Sequence, residues 1–167
     1  GEPPTGVQPA ACAAQADFAL TLMPVGGALH IVPRVVVLGV GCKRGTTAHQ
    51  LEEALTAFCA ASGLTPQSIA AAASIDLKKE EPGLLQFAKT HGWTLEFYTS
   101  EALCAVPGRF TASHFVKEIT GVDNVCERAA VKAAGGQLFV PKWADNGVTL
   151  AAALRPFAPD WRWKTDG

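Results

Sequence analysis

Basic runs are the first thing this 167-residue chain lacks: none is longer than Lys78-Lys79, and the formal net charge is −1. A nucleic-acid binder needs clustered Lys and Arg to neutralise phosphates, so nucleic acid is set aside as a partner. Charge of either sign is scarce too, at 17% Asp, Glu, Lys and Arg against about 25% in ordinary soluble domains. Such a surface suits a chain that works against a partner. Cys12, Cys42, Cys59, Cys104 and Cys126 make an odd set without C-x-x-C spacing, and no Cys/His cluster has the form of a structural zinc site. That pattern predicts reduced thiols, a cytoplasmic location and no metal of the protein's own. The apolar N-terminal region is broken by Gln15, Asp17, Pro24, Pro33 and Arg34, far short of the ~20 apolar residues that span a bilayer. No basic segment precedes it as in a secretory leader. The chain opens at Gly1 with Met23 as its only methionine, which leads us to expect a processed or excised piece of a longer protein.

What is present is concentrated in Pro33-Arg-Val-Val-Val-Leu-Gly-Val-Gly-Cys-Lys-Arg-Gly-Thr-Thr47. Val35 to Leu38 are residue types that fill a buried strand, and Gly39, Gly41 and Gly45 permit positive φ and close approach of backbone to a ligand. Thr46 or Thr47 caps the helix that follows. Free N–H groups, a helix dipole, Lys43 and Arg44 thus meet at one point, an arrangement that holds an anion. A phosphate or a carboxylate fits it equally well.

Residues 1–28 read as a linker or N-terminal extension, and 29–167 as one domain of ordinary size. Across the end of the extension, Phe18 to Met23 and Ala28 to Val32 flank Pro24-Val-Gly-Gly27 like a hairpin. From His49, the apolar residues Leu51, Ala54, Leu55, Phe58 and Cys59 fall at helical spacing, with Gly63 as the stop. Ile69 to Ile75 is uncharged and suits a strand buried on both faces, although its four alanines have weak strand propensity. Pro82 begins a helix carrying Leu84, Phe87, Ala88 and His91, and Thr94 to Tyr98 forms the next strand. Asn124 caps an alanine-rich helix, with Glu127 at capping-box spacing and Gly135-Gly136 at its end. Gln137 to Val140 and Val148 to Leu154 pair around Asp145-Asn-Gly147.

This alternation predicts an α/β fold: a three-layer sandwich with a mixed, partly parallel sheet and a C-terminal antiparallel hairpin. Ligands of open α/β sheets bind at the carboxyl ends of the strands, so three loops become candidates. They are Gly39 to Thr47, Ser74 to Pro82, and Ser113 to Glu127. In extended backbone Ser74, Asp76 and Lys78 project on one side of the second. Thr120-Gly121 breaks the helical pattern of the third.

Together, Gly39-Val-Gly-Cys-Lys-Arg-Gly-Thr46, Ser74-Ile-Asp-Leu-Lys78 with Glu81-Pro-Gly83, and Phe115-Val-Lys-Glu-Ile-Thr-Gly-Val-Asp-Asn-Val-Cys-Glu127 resemble one family. It is the C-terminal domain of the cobalt-precorrin-5A hydrolase (CbiG) family of cobalamin biosynthesis, together with the shorter CobE proteins. Val140-Pro-Lys142 and Gly147-Val-Thr149 extend the resemblance, which runs roughly from Leu29 to Leu154. It implies a domain of a hydrolase that opens the ring A lactone of a cobalt-bound tetrapyrrole with loss of acetaldehyde, or the module that binds that tetrapyrrole. Cobalt would enter with the substrate rather than as a cofactor. The implied partners are the tetrapyrrole intermediate and either other corrin-pathway enzymes or the N-terminal domain that the hydrolases carry and this chain does not contain.

The residues fit that chemistry. Gly39, Gly41, Cys42, Lys43, Arg44, Gly45, Thr46, Ser74, Lys78, Thr120 and Gly121 would contact the acidic arms of the substrate, with the cations holding charge and the amides an oxyanion. Asp76 or Glu127 would act as the base on water. Simpler roles stand beside these: Cys42 and Cys126 as packing thiols, Glu127 as the acid of a capping box, and His91 and His114 as structural histidines. The aromatic tail Trp161-Arg-Trp163 would dock on the sheet or on a missing domain. Two alternative functions remain, a nucleotide- or phosphate-binding α/β domain and a purely structural interdomain or dimerisation module. The glycine loop lacks the spacing of the usual nucleotide fingerprints.

Overall fold

The computed structural model describes residues 5–24, 26, 29–111 and 124–158. Five strands, β3 (Val36–Cys42), β4 (Ile69–Ile75), β5 (Thr94–Tyr98), β6 (Gln137–Asp145) and β7 (Val148–Leu154), form one sheet in the order β5-β4-β3-β7-β6. β3, β4 and β5 run parallel, whereas β7 is antiparallel to both β3 and β6. The β6–β7 turn bends through Asn146 and Gly147, both at positive φ, as a two-residue hairpin requires.

Parallel neighbours need crossovers, and α1 (Ala48–Ser62) and α2 (Pro82–His91) supply them. Thr47 caps α1 reciprocally: its hydroxyl accepts the Gln50 backbone N–H at 3.2 Å, and Gln50 Oε1 accepts the Thr47 N–H at 2.9 Å. Gly63 and Gly92 end the two helices in the left-handed region. Leu51, Leu55, Phe58, Leu84 and Phe87 from these helices pack with Val36, Leu38, Val40 and Leu150 of the sheet. His91 ties the helices together, its Nε2 lying 2.8 Å from Glu52 Oε1 while its ring stacks on Trp93.

Helix α4 (Val125–Ala134) and the five-residue α3 (Ser100–Cys104) cover the opposite face, which completes the expected three layers. The periodicity reading passed over α3, which is too short to establish a helical repeat. On this face the alanines of β4 make sense. Ala71 and Ala73 are fully buried beside Ala129 and Ala130, so a helix of small residues lies close against strands of small residues. Packing, rather than intrinsic propensity, fixes Ile69 to Ile75 as strand.

Two expectations need correction. β3 does not end at Leu38 but continues through Gly39, Gly41 and Cys42 in unbroken register with β7. Of the three glycines only Gly45 has positive φ, at +78°. Gly39 serves packing instead, because a Cβ there would lie 1.8 Å from the Cys126 carbonyl oxygen of α4. The N-terminal pair also differs. β1 (Phe18–Leu20) and β2 (Leu29–Ile31) pair in parallel, not as a hairpin. Leu22 is drawn onto the main core, and its carbonyl accepts the Thr65 N–H at 2.9 Å, so the chain travels away before returning alongside β1.

Candidate functional site

The carboxyl ends of β3 and β4, the start of β7, the N-terminus of α4 and the β6–β7 hairpin surround a cleft of about 1030 Å³. That lies at the upper end of the ~300–1,000 Å³ usual for small-molecule sites. Gly41, Cys42, Ser74, Cys126 and Thr149 contribute to its lining. Four cations, Lys43, Arg44, Lys78 and Lys142, line it against two carboxylates, Glu81 and Asp145.

The carboxylates are not free in the same way. Glu81 sits at the cap position of α2, where its Oε2 accepts the Gly45 N–H at 3.0 Å and its Oε1 lies 3.4 Å from Lys78 Nζ. A missing side chain makes this junction possible: a Cβ on Gly83 would fall 2.1 Å from the Thr46 carbonyl oxygen. The first turn of α2 therefore rests directly on the glycine loop. The amide that the sequence offered to a ligand is held by the protein's own carboxylate. The Gly45 N–H, assisted by Lys78 and Arg44 and opposed by desolvation, holds the Glu81 carboxyl below the usual carboxylate range.

This has a pH consequence. Because the folded pKa is depressed, the Glu81 contact contributes stability above the ordinary carboxylate pKa, and that contribution is lost as pH falls toward the folded value. Glu81→Gln should lower the melting temperature at neutral pH and flatten its decline on acidification. Equally steep acid limbs in thermal melts of both proteins would contradict this.

Cys42 lines the cleft, but burial pushes its thiol up, with Glu81 adding to the effect and Lys78 and a Thr46 hydrogen bond opposing it. Cys126 is pushed up to about 11, again by burial. Both are therefore thiols rather than thiolates at neutral pH. The Ser74 hydroxyl donates to the Val40 carbonyl at 2.7 Å, and that of Thr46 to the Lys43 carbonyl at 2.8 Å. Both hydroxyls brace the site.

Asp76 opens a 3-10 turn (Asp76–Lys78) rather than continuing an extended strand, and it does not contribute to the cleft lining. Its spacing with Ser74 and Lys78 does not put the three on one side. Glu127 is fully buried, and its carboxylate accepts from Thr111 N, Thr111 Oγ1 and Lys142 N at 2.9, 2.9 and 2.6 Å. Asn124 caps α4 as expected, accepting the Glu127 N–H at 3.1 Å, but the Glu127 side chain is engaged elsewhere and its capping-box role is replaced. Gly39 packs against α4 outside the cleft lining. Thr120 and Gly121 lie outside the described residues, as do His114 and Trp161 to Trp163.

Of the residues singled out in the sequence, Gly41, Cys42, Lys43, Arg44, Ser74 and Lys78 line one cleft. Sequence reasoning passed over Lys142, Thr149, Glu81 and Asp145 as site residues. Val140-Pro-Lys142 and Gly147-Val-Thr149 carried the missing signal, since both belong to the motif set and flank the turn. Among the described residues, no group of three or more His, Cys, Asp or Glu side chains could hold a metal, and no helix is long and apolar enough to cross a membrane.

A three-layer α/β sandwich with a large, cation-lined cleft at its strand ends defines a domain suited to a bulky anionic small molecule. The family model for the cobalamin synthesis G C-terminus matches residues 36–153, and the chain belongs to that family. It is 37% identical over 124 residues to the cobalt-precorrin-5A hydrolase of Salmonella typhimurium (strain LT2), covering 74% of this chain and 35% of the relative. The Priestia megaterium cobalt-precorrin-5A hydrolase is 33% identical over 126 residues, covering 75% of this chain and 33% of the relative. The chain thus spans about a third of the length of these hydrolases. The crystal structure of CobE, a protein from the cobalamin (vitamin B12) biosynthetic pathway, superposes with a TM-score of 0.67 at 31% identity. That match covers 74% of this chain and 92% of CobE.

Proposed function

We propose that this domain binds the cobalt-containing tetrapyrrole handled by cobalt-precorrin-5A hydrolases, holding it by its acidic arms while the ring A lactone is opened. The convergence of Lys43, Arg44, Lys78 and Lys142 on one cleft carries this reading. Acetate and propionate arms present several carboxylates around a rigid ring, and separate cations around a wide cleft match them as charge-assisted hydrogen bonds. Opening a lactone adds water across an ester and leaves one further carboxylate, which the same cations stabilise. Cobalt arrives in the substrate.

The lining supports binding better than base catalysis. Glu81 is engaged by Gly45 and Lys78, and Asp145 accepts from Asn146 Nδ2 at 3.2 Å on the rim. Asp76 and Glu127 do not line the cleft. We therefore assign activation of water to the remainder of a hydrolase-length protein. The nucleotide reading is disfavoured, because the Gly45 amide is already occupied by Glu81.

The test is an absorbance titration with cobyrinic acid, a polycarboxylate cobalt corrinoid, beside its permethyl ester. Tight binding of the acid that weakens with salt, and little binding of the ester, is the expected result. Equal affinity for both would remove the carboxylates from recognition.

A further inference from the structure

The pairing of β6 with β7 shifts register twice, between Leu138 and Val140 and between Val140 and Trp143, and the second shift bears on the cleft. Val140 pairs with Ala152 and Trp143 with Leu150, so Pro141 and Lys142 together oppose the single residue Ala151. This is a β-bulge, the device by which a strand re-aims a side chain. Pro141 has no N–H to lose, and the Lys142 N–H is taken by Glu127 Oε1 at 2.6 Å. The same carboxylate is fixed by Thr111 through both its N–H and its hydroxyl. Asn124 closes the set by donating from Nδ2 to the Thr111 carbonyl at 2.9 Å.

Burying a carboxylate completely is costly unless both its oxygens accept hydrogen bonds. Here the three donors answer it, and one of them is the bulge amide of a residue whose side chain lines the cleft. Lys43, whose side chain lies against Gly147 of the β6–β7 turn, Arg44 and Lys78 line the same cleft. We infer that Lys142 grips a carboxylate arm of the tetrapyrrole from the β6 side of the cleft, and that Glu127 is the positioning residue that holds Lys142 there. The inference rests on the binding role proposed above. It replaces the expected catalytic role of Glu127 with a geometric one.

The experiment is a titration of cobyrinic acid into the full chain and into Lys142→Ala, Glu127→Gln, the double variant and, as a site control, Lys43→Ala. Lys142→Ala should weaken binding about tenfold or more, the scale of a lost charge-assisted bond, and Lys142→Arg should restore part of it. Glu127→Gln should weaken binding severalfold beside Lys142 but cause no further loss in the Lys142→Ala background. Equal losses in both backgrounds would show that Glu127 acts on the fold at large and would overturn its positioning role. If Lys43→Ala binds weakly while Lys142→Ala binds like the unsubstituted protein, the inference fails and the tetrapyrrole reading stands. No binding by the unsubstituted protein would overturn both. Should Glu127→Gln fail to fold, amide exchange in the unsubstituted protein decides the positioning. A strongly protected Lys142 N–H is expected, and a freely exchanging one would overturn it.

Discussion

Gly39→Ala is expected to destabilise the domain by about 3 kcal/mol or more, at the upper end of what overpacking a buried site usually costs. A Cβ at this position would lie 1.8 Å from the Cys126 carbonyl oxygen and 3.0 Å from Ala130 Cβ. Neither neighbour can yield easily. Cys126 belongs to the backbone of α4, whose first turn is fixed by Asn124, and β3 is held on both sides by β4 and β7. Relief requires the helix to lift off the sheet, exposing Val37, Ala71 and Ala73. Gly45→Ala is the informative comparison. Nothing lies within 4 Å of its would-be Cβ, but its φ of +78° is strained for alanine, so a loss of only about 1 kcal/mol is expected. Urea unfolding of both variants makes the measurement. A Gly39→Ala protein as stable as the parent would contradict the close docking of α4.

Reversing both loop charges, Lys43→Glu with Arg44→Glu, should reduce affinity for cobyrinic acid at least about a hundredfold, since two attractive contacts become repulsive. Both side chains are exposed on the cleft, so stability should fall only modestly, through the loss of Arg44's support for the Glu81 carboxylate. Calorimetric titration, with thermal melts as control, separates the two effects. The loss should shrink as salt is raised, because these charges are reached by solvent ions. Unchanged affinity would move the ligand away from the glycine loop.

The sequence made the layered fold readable where local rules and packing agree. α1 combined a 3.6-residue apolar repeat with a reciprocal cap and a terminal glycine, and β4 was marked by an uncharged run between two helices. It was least readable where distant residues decide the local role. Glu81 and Gly45 meet across 36 positions, so nothing beside either residue announces that the loop amide is occupied. Gly39 looks like a ligand-facing glycine until α4 is placed over it. Glu127 has capping-box spacing, yet its carboxylate finds Thr111 and the Lys142 amide, donors fixed by tertiary structure. The strand read as Gln137 to Val140 stops before Pro141, whereas β6 continues through the bulge at Pro141-Lys142 to Asp145. The parallel β1–β2 pair was hidden because Pro24 and its glycines mimic a hairpin turn.

The central claim is that the tetrapyrrole occupies the cation-lined cleft of this domain. Amide chemical-shift mapping during addition of a diamagnetic cobalt(III) cobyrinic acid tests it most directly, because it reports both binding and place. Perturbations are expected at Gly41 to Gly45, Lys78, Lys142 and Thr149, with β1 and β2 unmoved. Perturbations confined to β1 and β2, or none at saturating corrinoid, would contradict it.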